Sequence, residues 1–141
     1  MAAKNWASRC LSDFTFQYVL QTRWNDMDAF SHVNNAVFLS YIEDARITFF
    51  KRWHLCEKTK SIIVASVKID YRRPINHPSN LIVGQKISRI GSKSFDIESA
   101  VFIKNEEESI ASILVTCVCF DYAKSVSVPI YQEIIADYNK S

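Results

Sequence analysis

Apolar positions along the chain follow two rhythms. From Phe14 to Trp24 the period is two: Phe14, Phe16, Tyr18 and Leu20 share one face, with Thr15, Gln17 and Gln21 on the other. That alternation predicts a half-buried strand. A polar stretch, residues 25–34, follows. Between Asn35 and Trp53 the period becomes 3.6. Phe38, Ile42, Ala45 and Phe49 form a stripe that Val37, Leu39, Tyr41 and Phe50 widen almost around the helix. A helix apolar on nearly all sides is expected to be buried. Asn34 stands where it would cap the start, and Lys51 and Arg52 suit the negative end of the dipole.

The period returns to two in four further segments: Ser61–Tyr71, Leu81–Ile90, Ser94–Lys104 and Ser109–Tyr122. They are joined by Arg72–Asn80 (with Pro74 and Pro78), by the tight turn Gly91-Ser92-Lys93, and by Asn105–Glu108. Short connections favour antiparallel neighbours. Ile130, Ile134, Ile135 and Tyr138 predict a short helix over Pro129–Asn139, with Pro129 in its first turn. The order is an α+β pattern. One curved antiparallel sheet wrapped around a long central helix, with a short C-terminal helix, satisfies it. Such a sheet leaves strand edges to be paired or covered, so at least a dimer is expected. No repeat or linker divides the chain, and residues 1–141 read as one domain.

Composition narrows the function classes. The chain is 48% hydrophobic and 23% charged, which argues against disorder. A net charge of +2 is too small to hold nucleic acid by bulk electrostatics, so an anionic ligand must be met by a local basic cluster. The uncharged apolar stretch Ser109–Phe120 has 12 residues and is too short for a membrane span. Met1 to Phe14 mixes Lys4 and Arg9 with polar residues and has no apolar signal core. Cys10, Cys56, Cys117 and Cys119 have no C-x-x-C spacing, and Cys117 and Cys119 are expected as buried thiols on one strand face. A cytoplasmic protein is expected, with no nucleic-acid or membrane partner. His32, His54 and His77 lie 22 and 23 apart, so neither metal nor cofactor is implied. There is no glycine-rich phosphate loop and no G-x-S-x-G elbow.

The chemistry is concentrated between the first strand and the helix, in Arg23-Trp24-Asn25-Asp26-Met27-Asp28-Ala29-Phe30-Ser31-His32-Val33-Asn34-Asn35. Two acids, a histidine and three asparagines occupy 13 residues before an apolar helix. A helix N-terminus offers unpaired N–H groups and partial positive charge. It can hold a carbonyl oxygen as it becomes an oxyanion, one such donor being worth roughly 2.7–4 kcal/mol. A carboxylate just upstream can attack the carbonyl carbon or activate a water. Asp, Asn and Ser before a helix also serve turns and caps, and spacing does not separate Asp26 from Asp28.

Asp26-Met27-Asp28, then His32-Val33-Asn34-Asn35 and the aromatic-rich helix with Tyr41, Glu43 and Arg46, resemble the signature of hot-dog-fold acyl-CoA thioesterases of the 4-hydroxybenzoyl-CoA thioesterase type. The resemblance extends to Asp70-Tyr71-Arg72-Arg73-Pro74 and to Arg89-Ile90-Gly91-Ser92-Lys93-Ser94-Phe95. It implies a hot-dog fold and acyl-CoA hydrolysis by a homodimer or homotetramer. It makes Asp28 the catalytic carboxylate and the Asn35 backbone N–H the oxyanion donor, and leaves Asp26 to orient the loop. His32, Val33 and Asn34 are expected at the substrate. Arg72, Arg73, Arg89 and Lys93 are expected at the CoA phosphates, with Ser94 near the thioester across a dimer interface. Glu43 and Arg46 are expected to pair structurally.

Many relatives carry an aromatic residue or a histidine where Asn35 stands, which a backbone donor survives. Plant acyl-ACP thioesterases resemble the same segment, with Asp, Asn two residues on and His four on. Here those positions are Asp28, Phe30 and His32, so the middle group is missing. The alternatives are an acyl-ACP thioesterase, a non-catalytic acyl-binding module, and a dehydratase on the same fold, for which no matching histidine context is present.

Overall fold

The computed structural model describes residues 10–140; the stretch Met1–Arg9, with Lys4 and Arg9, lies outside the described residues. Its strands are β1 (Phe16–Gln21), β2 (Ser61–Tyr71), β3 (Asn80–Ile90), β4 (Ser94–Ile103), β5 (Ser109–Asp121) and the short β6 (Val126–Ser127). Its helices are α1 (Asn35–Phe50) and α2 (Gln132–Lys140). The sheet order is β1-β3-β4-β5-β2, every pairing is antiparallel, and β6 adds to β5. β3, β4 and β5 follow one another as neighbours because their connections are short. β1 and β2 lie at opposite edges because α1 separates them in the chain and crosses the sheet between them.

Ring contacts fix that crossing. Near the start of α1, Phe38 meets Tyr71 at the end of β2, with ring centroids 5.1 Å apart. Near its end, Phe49 meets Phe16 on β1, also at 5.1 Å. Phe50 and Trp53 close on Phe95 at the start of β4. The helix therefore runs from one end of the sheet to the other, about 24 Å at 1.5 Å per residue. Leu81, Val83, Ile97, Val101, Ile113 and Val115 form the sheet side of the core and are fully buried. Each contributes roughly 1.5–3 kcal/mol by leaving water. Cys117 and Cys119 join them as free thiols, as their spacing led one to expect.

Four expectations need correction. Phe14 does not share the Phe16 face. The chain bends at Thr15, so Phe14 drops to the outer side of the sheet and packs on Phe102 and Ala100. It sits over Gly84, where a Cβ would stand 2.7 Å from its ring, so that position tolerates no side chain. Secondly, α1 is not buried all round. Leu39 and Ile47 are 42% and 50% exposed along its outer face, because one sheet covers one side of a helix. Thirdly, Glu43 is exposed on that face and no ion pair joins it to Arg46 among the described residues. Fourthly, Pro129 precedes α2 rather than opening it, and the Ile130 N–H donates to the Ser92 carbonyl at 3.1 Å.

Candidate functional site

The loop between β1 and α1 is held from three directions. A 3-10 turn, Trp24–Asp26, brings Asp26 to 2% exposure. Its carboxylate accepts the Tyr41 hydroxyl from α1 and, at 2.8 Å, the Arg23 N–H. The Arg23 guanidinium stands 3.5 Å away. Burial alone raises the Asp26 carboxyl, but those hydrogen bonds and the Arg23 charge outweigh it and hold it below its ordinary range. The same burial, with the Asp26 hydrogen bond, pushes the Tyr41 phenol up. The loop then closes on itself by a Met27↔Val33 bridge, and the Asp28 N–H donates to the His32 carbonyl at 2.8 Å. Finally the Val33 N–H reaches across to the Ile75 carbonyl at 2.9 Å, tying the loop to the segment after β2.

Inside this frame Asp28 uses its two oxygens differently. Oδ1 accepts the Phe30 N–H at 2.8 Å and the His32 N–H at 3.4 Å. These bonds allow the turn in which Ser31 takes a left-handed φ of 64°. Oδ2 has no protein donor among the described residues. Six residues on, Asn34 caps α1: its Oδ1 accepts the Ala36 N–H at 2.8 Å and its carbonyl accepts that of Phe38. Asn35, the first residue of α1, is left with an N–H that no protein acceptor takes among the described residues, as expected at a helix start.

Asp28 and Asn35 line one cavity of about 540 Å³. Phe30, His32, Val33 and Phe38 line its loop and helix side; Tyr71, Pro74 and Ile75 line the β2 side, with Arg72 and Arg73. Its contents match a reaction on a carbonyl: a carboxylate oxygen free to act, a helix-terminal N–H, and apolar walls beside them. Asp28 also lines a second cavity of about 680 Å³ with Trp24, Asn25, Met27, Ser31, Asn76 and His77.

The other expected residues are placed less simply. Asn34 is used as the cap and does not line the cavity. The Arg72 guanidinium is bound to Ser109 and Ser112 on β5, and Arg73 pairs with Glu106. Arg89 makes a forked contact with Asp96 at 2.8 and 3.1 Å and donates to the Ser94 hydroxyl. Arg89, Lys93 and Ser94 sit at the β3–β4 hairpin, beside the C-terminal end of α1. Within one protomer they lie at the far end of the sheet from Asp28. Tyr71, Pro74 and Ile75 were not singled out in the sequence, since their place opposite α1 follows from β2 pairing at the far edge. Tyr41 was read as part of the apolar stripe, and its hydroxyl partner Asp26 is 15 residues away. Among the described residues no three His, Cys, Asp or Glu side chains gather as a metal would need. Nor is any helix among the described residues long and apolar enough to cross a membrane.

Comparisons with known proteins bear on this geometry. The thioesterase-like superfamily description matches residues 22–137. The long-chain acyl-CoA thioesterase FadM of Escherichia coli is 27% identical over 115 residues, covering 74% of this chain and 83% of that protein. The solved PA5185 protein of Pseudomonas aeruginosa superposes with a TM-score of 0.85 at 25% identity, over 94% of this chain and 95% of that one. A Thermus thermophilus thioesterase solved with coenzyme A and zinc is 30% identical with a TM-score of 0.75, over 89% and 98%. The curved sheet around α1 is the hot-dog fold, and the chain belongs to the thioesterase-like superfamily.

Proposed function

We propose that this protein hydrolyses acyl-CoA thioesters to free acid and CoA at the Asp28–Asn35 cavity. The observation that carries this reading is the pairing of an unbonded Asp28 Oδ2 with the untaken Asn35 N–H on one apolar cavity. The thioester carbonyl oxygen lies against the Asn35 N–H and the positive end of α1, which favours the charge that builds on it. Asp28 Oδ2 either attacks the carbonyl carbon or takes a proton from an attacking water. The tetrahedral intermediate collapses with loss of the CoA thiolate, which takes up a proton from the water consumed; the water route gives the free acid directly, and the nucleophilic route gives an Asp28 acyl anhydride that water then hydrolyses to the free acid and the Asp28 carboxylate. Phe30, Val33, Phe38 and Tyr71 receive the acyl group, with His32 at the wall. FadM, named for long-chain acyl-CoA, and the coenzyme A bound by the Thermus protein support the substrate class.

We further take the working unit to be a homodimer or homotetramer of single-domain chains acting in the cytoplasm. The free edge of β2 supports this: Val64, Val67 and Tyr71 are 42–46% exposed there, and an unpaired edge of this kind is normally covered. A second copy would bring its own Arg89, Lys93 and Ser94 toward the cavity mouth, which one protomer alone does not do. Among the described residues Lys93 carries no ion pair, and it is the most available cation of that hairpin for a CoA phosphate.

Thiol release from short, long and aromatic acyl-CoAs, beside the same acyl groups on carrier protein, tests the substrate class. A strong preference for carrier-bound substrate would contradict it. Covalent capture of an acyl-enzyme separates the two roles of Asp28, since only the nucleophilic route forms an Asp28 anhydride. Light scattering tests the assembly, and a stable monomer at micromolar concentration would contradict a shared site.

A further inference from the structure

The loop that carries Asp28 and the helix start that carries Asn35 are separate pieces of backbone. Catalysis as proposed above requires a fixed distance between them. One residue touches both. Asp26 accepts the Arg23 N–H through its carboxylate and so closes the 3-10 turn that leads into Asp28. Through its carbonyl the same Asp26 accepts the Asn34 N–H at 2.9 Å, holding the cap of α1. Its side chain is in turn held by the Tyr41 hydroxyl, which reaches it from within α1. Asp26 and Tyr41 are 2% and 6% exposed, so water does not replace either partner.

We infer that Tyr41 is a positioning residue, acting through Asp26 to set the Asp28 carboxylate against the Asn35 N–H. The hydroxyl ties the loop to a residue of the same helix whose first N–H serves as oxyanion donor. The loop and the helix start then move as one body. Tyr41 is not among the residues lining the Asp28–Asn35 cavity, so its removal should leave binding intact and spoil alignment. This inference rests on the proposed hydrolysis, but the clamp itself can be observed without it.

The test uses Tyr41→Phe, Asp26→Asn and Asp26→Ala in the full chain, with two readouts. On acyl-CoA, Tyr41→Phe is expected to lower kcat roughly tenfold or more and to leave KM within about twofold, the signature of misplaced groups. Asp26→Asn keeps an acceptor oxygen for both the Tyr41 hydroxyl and the Arg23 N–H, and should retain kcat within roughly threefold while Asp26→Ala falls as far as Tyr41→Phe. Independently, NMR amide exchange at Asn34 should accelerate at least about tenfold in Tyr41→Phe, with Ile113 in β5 unchanged. Wild-type kcat in Tyr41→Phe, a loss confined to KM, or unchanged exchange at Asn34 would each overturn the inference. If Tyr41→Phe gives no cooperative melt, equal kcat in Asp26→Asn and Asp26→Ala overturns it instead. A wild type that turns over no acyl-CoA contradicts the proposed function, and the Asn34 exchange rate then decides the clamp on its own.

Discussion

Asp28 holds the amide of Phe30 at 2.8 Å through Oδ1, so the carboxylate proposed for chemistry is also the staple of its own loop. The two roles separate by substitution. Asp28→Asn keeps an acceptor oxygen in the place of Oδ1 and removes the charge. Asp28→Ala removes both. Urea unfolding should find Asp28→Asn close to wild type and Asp28→Ala less stable by about 1 kcal/mol, the net worth of such a hydrogen bond. Equal stabilities would mean that the Phe30 and His32 amides are satisfied by water instead.

Asn34 caps α1 and stands one residue before Asn35, the proposed oxyanion donor. Asn34→Ala should cost about 1 kcal/mol, while Asn34→Ser or Asn34→Asp, which also cap, should cost a few tenths. Because fraying at the cap loosens the Asn35 N–H, Asn34→Ala should lower kcat and the capping variants should preserve it. Urea melts and initial rates on the same preparations check both halves.

Phe30 is 80% exposed at the rim of the cavity, an uncommon place for a phenylalanine. Its removal leaves no hole in the core, so Phe30→Ala should melt within about 0.5 kcal/mol of wild type. If Phe30 covers the bound acyl group, the same variant should raise KM several-fold, and more for long than for short chains.

The Asp26–Tyr41 contact makes stability depend on acid in a definite direction. The folded Asp26 carboxyl lies below its unfolded value, which is about 3.9. Its contribution is therefore complete above that pH and is lost as pH falls through the folded value. The stability gap between wild type and Tyr41→Phe should be full at neutral pH and narrow below about pH 4. Urea melts across pH 2–7 read the gap directly.

The cysteines should differ sharply in reactivity. The Thr59 hydroxyl and the Lys58 and Thr59 amides pull the exposed Cys56 thiol down to about 7. Burial pushes Cys117 up to about 12. Iodoacetamide on the folded protein should modify Cys56 much faster than Cys117 or Cys119, with the Cys56 rate rising through pH 7. Peptide mapping by mass spectrometry identifies the order.

The alternation in β2 to β5 and the start of α1 at Asn35 were legible because period and capping are local properties. The turn Gly91-Ser92-Lys93 was equally plain. What the sequence concealed was non-local. Phe14 appeared in register with Phe16 until the bend at Thr15 moved it to the other face. Leu39 was read as widening the apolar stripe of α1, yet one sheet covers one side of a helix. The same limit applies to the site. Asp28 and Asn35 are close in sequence and could be read together. Tyr71, Pro74 and Ile75 reach the cavity only because β2 runs along the far edge beside β5. Arg72, Arg73 and Arg89 looked like free phosphate ligands, and their engagement by Ser109, Ser112, Glu106 and Asp96 depends on strand register.

The central claim is that Asp28 acts on a thioester held at the Asn35 N–H. The most direct measurement is thiol release from an acyl-CoA panel by wild type and Asp28→Asn, with folding and oligomeric state checked for both. Loss of roughly 10²–10⁴-fold in kcat, with the fold intact, is the expected result. Turnover unchanged by the substitution would contradict the assignment of Asp28.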